Sequence, residues 1–319
     1  MGILDKAREL GRQGRNAEAL ACVEEAAREG DAEALLAVGY WRLFGLHRPR
    51  DLAAAHDLLE RAGAAGSSEA VRVRATLIGN GTGCPSDPEQ ARRMYESIAG
   101  RDPAAALQLA LLAKMRPAEE AAAIATDTLS EDPPVRLLRG LLGKEECDYL
   151  IAQAEPELQP SYIDHPETGQ RVLNPVRSSL GMSFGPAQED LVVHWINLRL
   201  AVVTGTRAEW GEQLHMLRYT PGQEYRPHLD AIPGAANQRA WTVLVYLNEG
   251  YGGGETRFDR IGLSVRGRAG DALVYRNVDT EGRPDPRTRH AGLPVTSGAK
   301  WLATRWIRQA PYDPWDEQG

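Results

Sequence analysis

The segment YTPGQEYRPHLD ends in His228 and Asp230, an imidazole and a carboxylate two residues apart. On an extended strand, residues i and i+2 point to the same face, so both groups can reach one ion. A third ligand must come from elsewhere, and His290, in TRHAGLPV, lies 60 residues beyond Asp230. Two histidines and one carboxylate on one face of an octahedral ion leave three adjacent positions open. That arrangement suits an iron(II) ion that must take a bidentate cosubstrate and then dioxygen, whereas zinc more often takes a closed four-ligand set. The other histidines, His47, His56, His165, His194 and His215, have no carboxylate at useful spacing and read as structural or surface groups. Cys22, Cys84 and Cys147 are far apart and form no CxxC pair, which disfavours a thiolate metal site and a disulfide framework alike.

Lys300 follows His290 by ten residues, in HAGLPVTSGAKW. Gly292, Pro294, Ser297 and Gly298 imply a turn between two short strands, which returns this cation to the neighbourhood of the metal. A dicarboxylic 2-oxo acid would chelate iron through its 1-carboxylate and keto oxygen. Its distal carboxylate would then need a buried cation and hydroxyl donors. Lys300 supplies the cation, with Thr256 and Tyr219 as the hydroxyls.

The elements that must position these groups change character along the chain. HMLRYT, WTVLVYLN, ALVYRN and KWLATRWI read as strands of a β-sandwich or jelly roll, and LLGKEECDYLIAQAE reads as an amphipathic helix. The first hundred-odd residues are instead Ala-rich with helical periodicity. Segments starting at Arg15, Asp51 and Asp87 repeat at an offset of 36 residues, with Ala19, Ala55 and Ala91 coincident, then Glu24, Glu60 and Glu96, then Ala34, Ala70 and Ala106. Small residues at fixed helical positions let paired helices approach closely, and stacked pairs bury what one pair cannot. Pro133 and Pro134 cannot continue a helix and mark the expected boundary. The expected fold class is α+β: a helical repeat domain over 1–126, a linker over 127–136, and a double-stranded β-helix (jelly-roll) domain over 137–319 with its core at about 213–310.

The chain of 319 residues carries a net charge of −7, which argues against non-specific binding of nucleic acid. It has no run of about 18 apolar residues to span a bilayer. MGILDKARELGRQGRN lacks the apolar core of a secretory signal, so the chain reads as cytoplasmic.

The stretch from about Val176 to Pro311 resembles the catalytic domain of prolyl 4-hydroxylases. VRSSLGM, LRYTPGQEYRPHLD, QRAWTVLVYLN, GGGETRF, GDALVYRN, TRHAGLPV and KWLATRWIRQAP match the family's segments in order and spacing, and LLGKEECDYLI matches its leading helix. The resemblance implies His228, Asp230 and His290 as iron ligands, and Lys300, Thr256 and Tyr219 as 2-oxoglutarate contacts. It implies Arg239, Tyr225 and Trp306 as the residues that hold a substrate peptide beside the iron. The implied reaction consumes 2-oxoglutarate and O2, releases succinate and CO2, and hydroxylates a C–H bond, first of all C4 of a prolyl residue in a protein or peptide. Ascorbate enters as a further expected cofactor on the same ground. The N-terminal region resembles tetratricopeptide-type repeats of the Sel-one-like class, through Ala34, Gly39, Tyr40 and Gly45, and is expected to help select a protein partner.

Arg257 and Asp259 stand where many relatives have an apolar residue and a proline, and DTEGRPDPRTRH is polar and Arg-rich. These departures touch the substrate rim, which leaves a free amino acid or small metabolite as the alternative substrate. A metal-holding interaction module without catalysis is the alternative of a different class. It has no need of the triad and Lys300 together.

Overall fold

The computed structural model describes residues 2–164 and 171–315. Its contacts divide the chain into two units, Met1–Lys114 with Pro186–His194, and Met115–Gly185 with Trp195–Gly319.

The first unit is built from seven helices: α1 (Ile3–Arg12), α2 (Asn16–Arg28), α3 (Ala32–Phe44), α4 (Leu52–Ala64), α5 (Ser68–Asn80), α6 (Pro88–Ile98) and α7 (Pro103–Leu112). Their starts repeat because their caps repeat. Asp31, Asp51, Ser67, Asp87 and Asp102 each accept a hydrogen bond from the backbone N–H three residues on, satisfying a donor the helix leaves open. Gly45 and Gly81 end α3 and α5 in the left-handed conformation at φ 70° and 82°, which glycine adopts without strain. Ala19, Ala55 and Ala91 are buried as the repeat requires. The third repeat is one residue shorter than expected: Ala105 rather than Ala106 is the buried equivalent of Ala34 and Ala70, because its cap falls at Asp102. Leu191 packs with Tyr95, Ile98 and Ala105, and Asn80 Nδ2 donates to the Pro186 carbonyl at 2.7 Å. Residues 186–194, expected within the jelly-roll domain, thereby cluster with the repeats.

The second unit holds the sheets. Its elements are β1 (Thr126–Ser130), β2 (Val135–Leu138), α8 (Lys144–Ala154), β3 (Gln159–Pro160), β4 (Tyr162–Asp164), β5 (Arg171–Leu173), β6 (Leu180–Ser183), α9 (Leu191–Thr204, from Trp195 on), β7 (His215–Tyr219), β8 (Tyr225–His228), β9 (Arg239–Tyr246), β10 (Gly252–Gly253), β11 (Thr256–Phe258), β12 (Leu263–Val265), β13 (Ala272–Arg276), β14 (His290–Gly292), β15 (Val295–Ser297) and β16 (Lys300–Arg308). An antiparallel eight-stranded sheet runs β1-β2-β13-β9-β16-β7-β6-β3, and a four-stranded sheet runs β12-β11-β14-β8. The two sheets close on one core, in which Leu217, Leu244, Tyr246, Leu273 and Leu302 of the large sheet meet Phe258 and Val265 of the small one. This is the double-stranded β-helix, or jelly roll.

β9 and β16 are central strands, buried on both faces, which is why they read as near-continuous apolar and β-branched runs. On the outer face, Arg305 Nη1 of β16 donates to the Asn197 carbonyl of α9 at 3.0 Å. The stretch 127–136, expected as a linker, is instead most of the β1–β2 hairpin, with Pro133 and Pro134 in its turn. A proline pair stops a helix and suits a turn equally well. What the hairpin does is set by long-range pairing, here of β2 with β13. No helix among the described residues is long and apolar enough to cross a membrane.

Candidate metal and cosubstrate site

His228 ends β8 and pairs directly with His290 of β14, so the small sheet places two imidazoles side by side with ring centroids 4.3 Å apart. Asp230 lies two residues on, beyond the strand end rather than in it, and is 5% exposed. Strand alternation therefore does not hold it. Its Oδ2 accepts hydrogen bonds from the hydroxyls of Thr242 on β9 and Tyr275 on β13, each 2.7 Å away. His228 Nε2 lies 3.6 Å from Asp230 Oδ1, and His290 Nε2 lies 3.8 Å from Oδ2. Ligand atoms of the three side chains all fall within 4.8 Å of one another.

The protonation of this cluster suits a cation. His228 Nδ1 lies 2.8 Å from the Arg226 carbonyl, and His290 Nδ1 lies 3.0 Å from the Thr288 carbonyl. A carbonyl oxygen only accepts, so each Nδ1 carries a proton and Nε2 is the nitrogen each ring turns toward a metal. Burial pushes His290 down to about 4, which keeps it neutral. Burial alone would raise Asp230, but the neighbouring imidazoles and the Thr242 hydroxyl outweigh it and hold the carboxyl well below its ordinary range. Two imidazoles presenting Nε2 and one ionised carboxylate are the donors a metal requires, and this hard-to-borderline donor set fits iron(II).

Lys300 opens β16 opposite Tyr219 of β7. It is 2% exposed and donates from Nζ to the Gly254 carbonyl at 2.6 Å, with no carboxylate paired to it among the described residues. Burial lowers it to about 7, with Arg266 acting in the same direction and Glu255 against it. Gly254 sits at φ 71°, and a Cβ there would come within 3.1 Å of Lys300 Cδ, so only glycine lets the backbone approach this side chain. Thr256 on β11 is buried and accepts from the Tyr246 hydroxyl at 3.2 Å. Burial holds the Tyr219 phenol above its ordinary value. Lys300, Thr256 and Tyr219 line the same cavity as His228, Asp230 and His290.

Of the three expected substrate residues, two reach that cavity. Tyr225 stacks on His228 with ring centroids 3.5 Å apart, and Trp306 forms part of the wall. Arg239 does not line it. Its Nε and Nη2 grip Glu212 at 2.6 and 2.7 Å, and its guanidinium lies 4.1 Å above the Trp306 ring. Burial would lower Arg239, yet Glu212 more than offsets it. Arg239 therefore buttresses the wall from behind. Thr304 Oγ1 and Trp306 Nε1, which line the same cavity as the triad, are buried without a hydrogen-bond partner among the described residues. Buried polar atoms are costly unless something satisfies them, and these two stand ready for a ligand.

The sequence reading did not find Thr242, Tyr275, Asn277 or Glu212. Asn277 Nδ2 donates to Thr242 Oγ1 at 2.8 Å, which completes a chain to Asp230. Only the pairing of β9 with β13 brings Thr242 and Tyr275 together, and no local spacing signals it. The remaining histidines serve structural ends: His56 binds the Thr82 carbonyl at 2.8 Å and His215 binds Ser183 Oγ at 2.8 Å. His194 does have a carboxylate partner, Glu189 at 3.0 Å, reached through the turn before α9 rather than by regular spacing. His165 lies outside the described residues.

Residues 214–308 match the model of the 2OG-Fe(II) oxygenase superfamily. Prolyl 4-hydroxylase 1 of Arabidopsis thaliana is 37% identical over 202 residues, spanning 57% of this chain and 71% of that protein. Probable prolyl 4-hydroxylase 3 of the same plant is 35% identical over 211 residues, spanning 59% and 73%. Among solved structures, a viral collagen prolyl hydroxylase from Paramecium bursaria Chlorella virus-1, as its 2OG complex, aligns at 28% identity with a TM-score of 0.45 over 55% of this chain and 96% of that one. A Sel1 repeat protein from Oxalobacter formigenes aligns at 24% identity and TM-score 0.31 over 34% of this chain and 84% of that one.

Proposed function

The chain belongs to the prolyl 4-hydroxylase family of 2-oxoglutarate- and iron(II)-dependent oxygenases, and we propose that it hydroxylates C4 of a prolyl residue in a protein or peptide. The observation that carries this reading is the convergence of His228, Asp230, His290 and Lys300 on one cavity. Nε2 of both histidines and the Asp230 carboxylate would hold the metal. When bound, iron(II) with 2-oxoglutarate and O2 supplies the oxidation: one oxygen atom enters the substrate C–H bond, and the other enters succinate as CO2 leaves.

The chain's own side chains do the rest. The Lys300 ammonium, with Thr256 and Tyr219, binds and orients the distal carboxylate of 2-oxoglutarate. Leu217, Leu244 and Leu302 line the cavity that this cation shares with the triad and make its wall apolar. Tyr225 and Trp306 form an aromatic wall for a flat pyrrolidine ring, and Arg239 holds the indole in place from the side of Glu212. The N-terminal repeats are read as the surface that recruits the protein substrate. The free cysteines Cys22, Cys84 and Cys147 favour a reducing, cytoplasmic setting.

The test is succinate release by the purified chain with iron(II) and 2-oxoglutarate, against proline-rich peptides and against free proline, with mass spectrometry of the peptide. The expected result is iron-dependent succinate, a gain of one oxygen on a prolyl residue, and loss of both in His228→Ala. Hydroxylation of free proline but of no peptide would replace the substrate assignment. Succinate production that survives His228→Ala would end the enzymatic one.

A further inference from the structure

We propose that Tyr275, together with Thr242, is a positioning residue that restricts Asp230 to one-oxygen ligation of the metal. The inference rests on reading His228, Asp230 and His290 as the ligands. Tyr275 on β13 and Thr242 on β9 are direct cross-strand partners, so their side chains leave the same face of the sheet at the same level. Both hydroxyls end 2.7 Å from the same oxygen, Asp230 Oδ2. Oδ1 is the oxygen that faces His228 Nε2.

A carboxylate oxygen offers two lone-pair sites, and two O–H donors occupy both at Oδ2. Oδ1 is then the oxygen left for the metal. The donors are themselves aimed. Asn277 Nδ2 donates to Thr242 Oγ1 at 2.8 Å, which turns the threonine proton toward Asp230. The Tyr275 ring meets Phe258 edge-on at 5.1 Å, which fixes its tilt. Tyr275 Oη also lies 3.0 Å from His290 Nε2. Because His290 gives its Nδ1 proton to the Thr288 carbonyl, Nε2 is an acceptor. With that lone pair given to a metal, the tyrosine proton is left to Oδ2.

The consequence is a count of bonds. A carboxylate that chelated through both oxygens would take one of the three positions that a bidentate 2-oxo acid and dioxygen need. The two hydroxyls keep that position open, and they anchor a ligand that strand geometry does not hold.

The experiment measures metal binding by the full chain, stripped with chelator and reloaded, in wild type, Tyr275→Phe, Thr242→Val and Thr242→Ser. Mn(II) titration by electron paramagnetic resonance reads affinity. Visible absorption of the Co(II) form, stronger at lower coordination number, reads how many bonds the ion makes. Melting of the metal-free proteins verifies that each variant folds, and Tyr275→Phe retains the ring that packs on Phe258. The expected result is a Kd for Mn(II) raised roughly 10- to 100-fold in Tyr275→Phe and Thr242→Val, with weakened Co(II) absorption, and near-wild-type values in Thr242→Ser. Mn(II) binding within twofold of wild type in both Tyr275→Phe and Thr242→Val overturns the proposal, as does a Thr242→Ser variant as weak as Thr242→Val. A wild type that lacks a one-to-one Mn(II) site sinks the ligand assignment itself, a result distinct from either.

Discussion

Replacing Lys300 by methionine separates what this residue does for the fold from what it does for the ligand. The lysine is almost wholly buried, and burial lowers it from 10.5 to about 7. At roughly 1.4 kcal/mol per pH unit, holding the ammonium there costs about 5 kcal/mol below pH 7 relative to the unfolded chain. Between about pH 7 and 10.5 the unfolded chain binds a proton that the folded one does not, so stability rises with pH across that window and the penalty is gone above it. Methionine fills a similar volume without charge but gives up the hydrogen bond to the Gly254 carbonyl, worth about 1–2 kcal/mol. The balance at pH 7 favours Lys300→Met by about 3 kcal/mol, a rise on the order of 5–10 °C in the melting temperature of the sheet-bearing unit. The assay is thermal melting at pH 7 and at pH 11, with and without 2-oxoglutarate in the presence of Mn(II). At pH 7 the variant should melt above wild type, at pH 11 the order should reverse by about 1–2 kcal/mol, the value of the lost hydrogen bond, and only wild type should gain from the ligand, by about 2.7 kcal/mol at a concentration of about 100 Kd. A variant less stable than wild type at pH 7 would show that Lys300 is not a strained cation, and one that 2-oxoglutarate still stabilises equally would show that it is not the carboxylate's partner.

The same titration predicts a pH dependence for the cosubstrate. Only the protonated lysine binds a carboxylate, so KM for 2-oxoglutarate should rise roughly tenfold per pH unit above about 7, while Lys300→Arg, always charged, should flatten the profile; a wild-type KM unchanged from pH 6.5 to 8.5 would contradict it. Arg239→Lys should break the two parallel hydrogen bonds to Glu212 and loosen Trp306. It should raise KM for a proline peptide about tenfold, on the order of 1.4 kcal/mol, and leave Mn(II) affinity unchanged; unaltered peptide kinetics would remove Arg239 from the substrate wall.

Some of this molecule is local and some is not. His228 with Asp230, and His290 with Lys300, are short motifs whose chemistry survives without knowing the fold, because residue type and spacing carry it. The helix starts at Asp31, Ser67 and Asp102 are local as well, since a cap is a bond to the third residue on. Local pattern misled where two outcomes share one signal. Pro133–Pro134 reads as a domain boundary but turns a hairpin, and Asp230 reads as a strand residue but stands past the strand's end. Arg239, which the resemblance implies as a substrate contact, is instead paired with Glu212, 27 residues earlier.

What the amino-acid order determines alone is which groups are available, their alternation and the turns between them. The tertiary structure decided which oxygen of Asp230 is held and by what, because Thr242 and Tyr275 meet only when β9 pairs with β13 in one register. A slip of either strand by a single residue would turn its own hydroxyl to the opposite face and part the two. Strand pairing is chosen by the packing of the whole core, so no window of sequence around Asp230 contains it.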